Sequence, residues 1–150
     1  MTAEADASYD LYRRWTEYTP DAHFQARAAL SRLARDHGLS ADMASDVVLA
    51  ASELMANAAE HARGPFELRV RVKDLRLLCE VVDRETQMPE ILRFQQGEVA
   101  HRPGDDAETP LSALEERGRG LLIVHTVSRG RWGVRFHEST KAVWFALSLL

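Results

Sequence analysis

The chain has 150 residues, 45% hydrophobic and 28% charged, with a formal net charge of −4. That length suits one domain able to bury roughly two thirds of its unfolded surface unaided, and the acidic balance lacks the basic excess used to grip a phosphate backbone, so no direct nucleic-acid binding is expected. Cys79 is the only cysteine, which excludes an internal disulfide, and no apolar run reaches the roughly 18 residues needed to cross a bilayer.

The first ten residues, "MTAEADASYD", form a loose N-terminus without the charged-then-apolar design of an export signal. A cytoplasmic protein with no membrane contact is therefore expected. The remainder, 11–150, reads as one domain. "YRRWTEYTP" alternates enough for a short strand, stopped at Pro20, which donates no ladder hydrogen bond. Asp21 is placed to cap a helix over "AHFQARAALSRLARDHG", with Phe24, Ala28, Leu30 and Leu33 on helical spacing and Gly38 suited to the turn that ends it. Ser40 caps the next helix, "ADMASDVVLAASELMANAAEHA", which ends before Gly64-Pro65.

From Phe66 the period changes to two. "FELRVRVKD" and "RLLCEVVD", separated by a tight connection, predict antiparallel strands with Cys79 as a buried thiol. Residues 84–117 have weak periodicity, prolines at 89, 103 and 110, and one short possible helix near "PLSALEER". A loop this long inside a compact domain is usually a lid or binding loop. "GRGLLIVHTVSRG" then resumes as a helix, and "WGVRFHES" and "KAVWFALSLL" close the chain as two strands joined at Ser139-Thr140. Helices segregated onto one mostly antiparallel sheet make an α+β fold.

Three distant segments carry chemistry that belongs together. In the second helix Glu53, Asn57 and His61 recur every fourth residue and share one face. Leu54, Met55 and Ala58 supply an apolar stripe to bury beside them. The row is either a solvated face or the wall of a site. In a site, the Asn57 carbonyl oxygen is the hard ligand Mg²⁺ accepts while retaining waters and substrate phosphates, and Glu53 could take a proton from an attacking hydroxyl or water. Asp83, where a buried strand opens into a loop, could accept hydrogen bonds from an adenine amino group, or could simply bond its own turn. In "ERGRGLLIV", Gly118 and Gly120 let backbone amides approach an anion at a helix start, with Arg117 and Arg119 adding charge. A plain loop-to-helix junction has the same signature. Neither a P-loop nor a Rossmann turn is present, because Gly-Lys-Ser/Thr and the third glycine are missing.

Taken in order, "SELMANAAEHA", "EVVDRE", "ERGRGLLIV" and "KAVWFAL" resemble the GHKL ATPase and kinase superfamily over about residues 12–149, and most closely the small anti-sigma-factor serine/threonine kinases and related actinobacterial regulators. The resemblance implies the Bergerat two-layer sandwich, with ATP and Mg²⁺ bound between the helices and a lid at about 97–117. It assigns Glu53 as catalytic base, Asn57 as metal ligand, Asp83 as the residue that reads adenine, and Gly118, Arg119, Gly120 and Leu121 to the phosphates. It further implies a partner-switching kinase that phosphorylates an anti-sigma-factor antagonist, sequesters a sigma factor and forms a homodimer. One departure stands out: the family's Asp-x-Gly is here Asp83-Arg84-Glu85. The added side chain and negative charge support an alternative, a protein-binding module that keeps the fold with weak or no ATP binding.

Overall fold

The computed structural model describes residues 8–85 and 119–150. The elements run β1 (Leu11–Trp15), α1 (Ala22–Asp36), α2 (Ala41–His61), β2 (Phe66–Lys73), β3 (Arg76–Asp83), α3 (Arg119–Ser128), β4 (Trp132–His137) and β5 (Thr140–Ser148). The strands make one antiparallel sheet in the order β1-β2-β3-β5-β4. The helices cover one face, so the fold is the expected α+β two-layer sandwich. The lid expected at 97–117, the short helix expected near 110–117 and Gly118 lie outside the described residues.

Alternation along the strands decides which side chains meet the helices. Leu68 and Val70 of β2, Leu77, Cys79 and Val81 of β3, and Phe145 of β5 point inward and are buried. Helix α2 packs between α1 and α3 and contributes Val47, Ala50, Leu54 and Met55 to the same core. Its start is fixed as expected, with the Met43 amide donating to Ser40 Oγ at 3.1 Å. The β2–β3 connection is a two-residue turn at Asp74 and Leu75, both left-handed with φ of 53° and 61°, the twist that suits a tight hairpin.

Three local expectations are corrected. Strand β1 ends at Trp15, well before Pro20, because a turn intervenes in which the Thr19 amide donates to the Thr16 carbonyl at 3.1 Å and the Thr16 amide to Thr19 Oγ1 at 3.0 Å. Asp21 sits at the start of α1 but is left-handed, with φ of 56°, and its side chain makes no capping bond. The buried stripe of α1 is Ala26, Leu30, Leu33 and Ala34, whereas Phe24 is 65% exposed. Two leucines and two alanines are what α1 turns inward, leaving Phe24 on its outer side. Of the three tryptophans, Trp15 and Trp132 are core residues, while Trp144 alternates onto the sheet face away from the helices.

Candidate functional site

The polar row of α2 is split by its surroundings. Glu53 and Asn57 are half-buried, whereas His61 is exposed and pairs only loosely with neighbouring Glu60, at 3.7 Å. Leu54, Met55 and Ala58 are buried as the apolar stripe required. The row therefore offers one acid and one amide to the interior side.

Glu53 faces the start of α3. The structure places its Oε2 where a β-carbon on Gly120 would come within 2.6 Å of it, with the Glu53 Cβ and Cδ each at 3.4 Å. Position 120 is therefore glycine for space: any other residue displaces the carboxylate. Leu121 turns its side chain into the core, at 3% exposure, which leaves its backbone N–H as the group a ligand could reach. Arg119 opens the helix. The N–H groups of a first helical turn have no intrahelical acceptor, and the helix dipole makes that end attractive to anions. Glu53 and Gly120, distant in the chain, thus meet as an acid beside a helix N-terminus.

Asp83 continues the inward row of β3 and is 1% exposed. Its Oδ1 accepts from the Glu85 amide at 2.8 Å, and its Oδ2 lies 3.6 Å from Nζ of Lys141, itself 2% exposed. The two residues are directly opposite in the β3–β5 ladder. Burial pushes the Asp83 carboxyl above its ordinary range, and the Lys141 ammonium pulls the other way. The adjoining Arg84 amide donates to the Arg63 carbonyl at 2.9 Å, tying the end of β3 to the chain just beyond α2. Asp83 therefore lies towards the far end of α2 from Gly120. About 12 Å of helix separates Glu53 from His61, with Asn57 halfway between.

Lys141 is the member of this set that pattern reading overlooked. The signal was available: in "KAVWFAL" the positions 141, 143 and 145 share a face, and Phe145 is an obvious core residue, so the lysine must point inward too. Each Asp83 oxygen has a second lone pair, so the carboxylate can serve both its ion pair and a further donor.

Two features of this chain fit a nucleotide: the nearest atoms to the space beside Gly120 are those of the Glu53 side chain, and Asp83 keeps acceptor capacity in the interior. The class these features define is the GHKL sandwich. The chain matches the histidine kinase-like ATPase domain family over residues 16–141 and belongs to it. No curated relative matches in sequence. A chain of the SiaB–SiaC complex from Pseudomonas aeruginosa superposes with a TM-score of 0.71 at 12% identity, covering 97% of this chain and 95% of that one. The RsbU and RsbW domains of Rv1364c from Mycobacterium tuberculosis give a TM-score of 0.59 at 15% identity, covering 93% of this chain but 32% of that one. At such identities these likenesses concern the fold.

Proposed function

We propose that this protein binds ATP with Mg²⁺ and works as a partner-switching regulator: it phosphorylates a serine or threonine of an anti-sigma-factor antagonist and sequesters a sigma factor. Family membership supports the nucleotide part, and the likeness to a chain from a two-protein complex, SiaB–SiaC, suits the partner-binding part. The observation that carries the reading is the Glu53 carboxylate held against Gly120 at the start of α3.

In this reading Asp83 accepts from the adenine amino group, and Asn57 would hold the cation, which supplies charge neutralisation along the phosphates. The amides at Gly118, Arg119, Gly120 and Leu121 receive phosphate oxygens. Glu53 takes the proton of the attacking hydroxyl as its oxygen bonds the γ-phosphorus and the bond to the β–γ bridging oxygen breaks, releasing ADP. Phosphate transfer to a cognate antagonist should vanish in Glu53→Gln while nucleotide binding persists. Transfer at the wild-type rate would remove Glu53 from the role of base.

A second reading, a protein-binding module without catalysis, draws on the buried Lys141 that already occupies Asp83 and on Glu85 where the family has glycine. Calorimetric titration separates the two, because the module gives weak heat or none with ATP and Mg²⁺.

A further inference from the structure

The sheet face opposite the helices is not the bland solvated surface that an α+β sandwich usually leaves. Among the described residues it forms a concavity of about 680 Å³ whose charged lining is Arg14, Arg69, Arg71, Arg84 and Arg135 against Glu67 and Glu80. Three positive charges in excess thus gather on a protein whose net charge is −4.

Arg69, Arg71 and Arg135 are held in place by their neighbours. Glu67 accepts from the Tyr12 hydroxyl and from Arg69 Nη2, the latter at 3.0 Å, and Glu80 accepts from Arg135 Nη2 at 2.6 Å. The guanidinium carbons of Arg69 and Arg71 stand 5.6 and 5.2 Å from the Tyr9 ring centre, and that of Arg135 stands 5.7 Å from the Trp144 ring. Trp144 can lie flat here because its neighbour in the ladder is Gly133, where a β-carbon would meet the indole at 3.1 Å. Arg69 Nε is buried beneath this face with no hydrogen-bond partner among the described residues. Arginine, tyrosine and tryptophan held rigid are the residue types that dominate protein interfaces.

We propose that this open sheet face is a docking surface for an acidic segment of a partner protein, whose carboxylates pair with Arg14, Arg71 and Arg135. The charges are spread from β1 to β4, about 19 Å across five strands, too far for one small anion and suited to several carboxylates along a chain. A guanidinium whose far edge stays free takes a carboxylate in bidentate fashion. A second copy of this chain is a poor occupant, because a two-fold contact sets arginines against arginines. Nucleic acid is a poor one as well, since two carboxylates line the face and the rest of the molecule repels a polyanion.

The test is fluorescence anisotropy on the full chain with a labelled glutamate-rich peptide carrying interspersed tyrosines, the same peptide with glutamine for glutamate, and labelled DNA of matching charge. The acidic peptide should bind, the glutamine peptide about tenfold more weakly, and added salt should weaken the complex. Arg71→Glu and Arg135→Glu should each weaken it about tenfold, and Arg32→Glu on α1 should not. Arg71 is exposed and touches the Ser8 carbonyl and the Tyr9 ring, so Arg71→Glu and Arg71→Gln carry the test even if Arg135→Glu loses its fold. Absence of binding, equal binding of the glutamine peptide, unchanged binding by the Arg71 variants, tighter competing DNA, or a dimer in sedimentation that Arg71→Glu dissociates would each overturn the proposal. The face is remote from Glu53 and Gly120, so a failed ATP titration leaves this result standing and the reverse holds too.

Discussion

Glu53 and Gly120, 67 positions apart, are in contact: the carboxylate of one occupies the space where the other would carry a side chain. Gly120→Ala therefore separates stability from activity. The new methyl group meets the mobile end of Glu53 first, so the carboxylate swings aside and the fold survives, with stability changed by no more than about 1 kcal/mol and helix propensity favouring alanine. The proposed phosphate transfer should fall by about tenfold or more, because a base displaced by an ångström loses its geometry. Thermal unfolding with single-turnover phosphorylation checks both halves. A variant with full transfer would show that the contact is packing alone.

Removing Lys141 leaves Asp83 as an unpaired buried carboxylate. Lys141→Met should cost about 3 kcal/mol, measured by urea unfolding at neutral pH. The pH dependence has a definite sign. A carboxyl whose folded value lies above its unfolded value holds its proton more tightly when folded, so ionising it costs stability as pH rises through that window. The variant should recover stability on mild acidification. The double variant Asp83→Asn, Lys141→Met should recover it at neutral pH. Equal loss at all pH values in the single variant would indicate lost packing instead.

Two half-buried histidines act in the opposite direction. Burial, aided at His23 by Arg27, holds His23 below 6.5, and burial does the same for His125. The unfolded chain therefore takes up these protons first, and the stability from keeping both rings neutral is present above 6.5 and lost as pH falls towards the folded values. Denaturation midpoints should drop between neutral and mildly acidic pH. His125 also accepts from the indole Nε1 of buried Trp132 at 3.2 Å, so His125→Phe should cost about 1–3 kcal/mol by stranding that donor. A flat pH profile in the wild type would remove the histidines from the account.

Cys79 should be inert in the folded protein. It is wholly buried in β3 and burial pushes its thiol far up from its ordinary range, so little reactive thiolate exists near neutral pH. A thiol reagent should label it at the rate of unfolding, and denaturant should release the full signal. Rapid labelling of the native chain would mean that the sheet opens readily.

The parts of this molecule legible in the sequence were those with a strict period or a specific cap. The four-residue spacing put Glu53 and Asn57 on one helix face without saying what that face meets, while the Ser40 cap and the alternation of β2 and β3 each have one consistent structural solution. Helix α1 was harder, since Phe24 and Ala28 compete with Ala26, Leu30, Leu33 and Ala34 as its inner stripe. Hydrophobicity favours the stripe with phenylalanine, but the helix buries Ala26 and Ala34 beside Leu30 and Leu33 and leaves Phe24 exposed. Asp21 misled because an aspartate before a helix also tolerates the left-handed conformation it adopts here, from which no cap forms. The contact of Glu53 with Gly120 and the pairing of Asp83 with Lys141 were out of reach of local patterns, since both depend on how distant segments pack. The arginines of the open sheet face carry no local motif, and only the strand order brings them onto one surface.

The central claim is that α2, the end of β3 and the start of α3 surround one adenine nucleotide. Calorimetric titration of the full chain with ATP in the presence of Mg²⁺ tests it most directly. One nucleotide should bind per chain, the magnesium dependence should disappear in Asn57→Ala, and the preference for ATP over GTP should disappear in Asp83→Asn. No heat and no change in unfolding temperature at millimolar ATP, or binding indifferent to both substitutions, would contradict the claim.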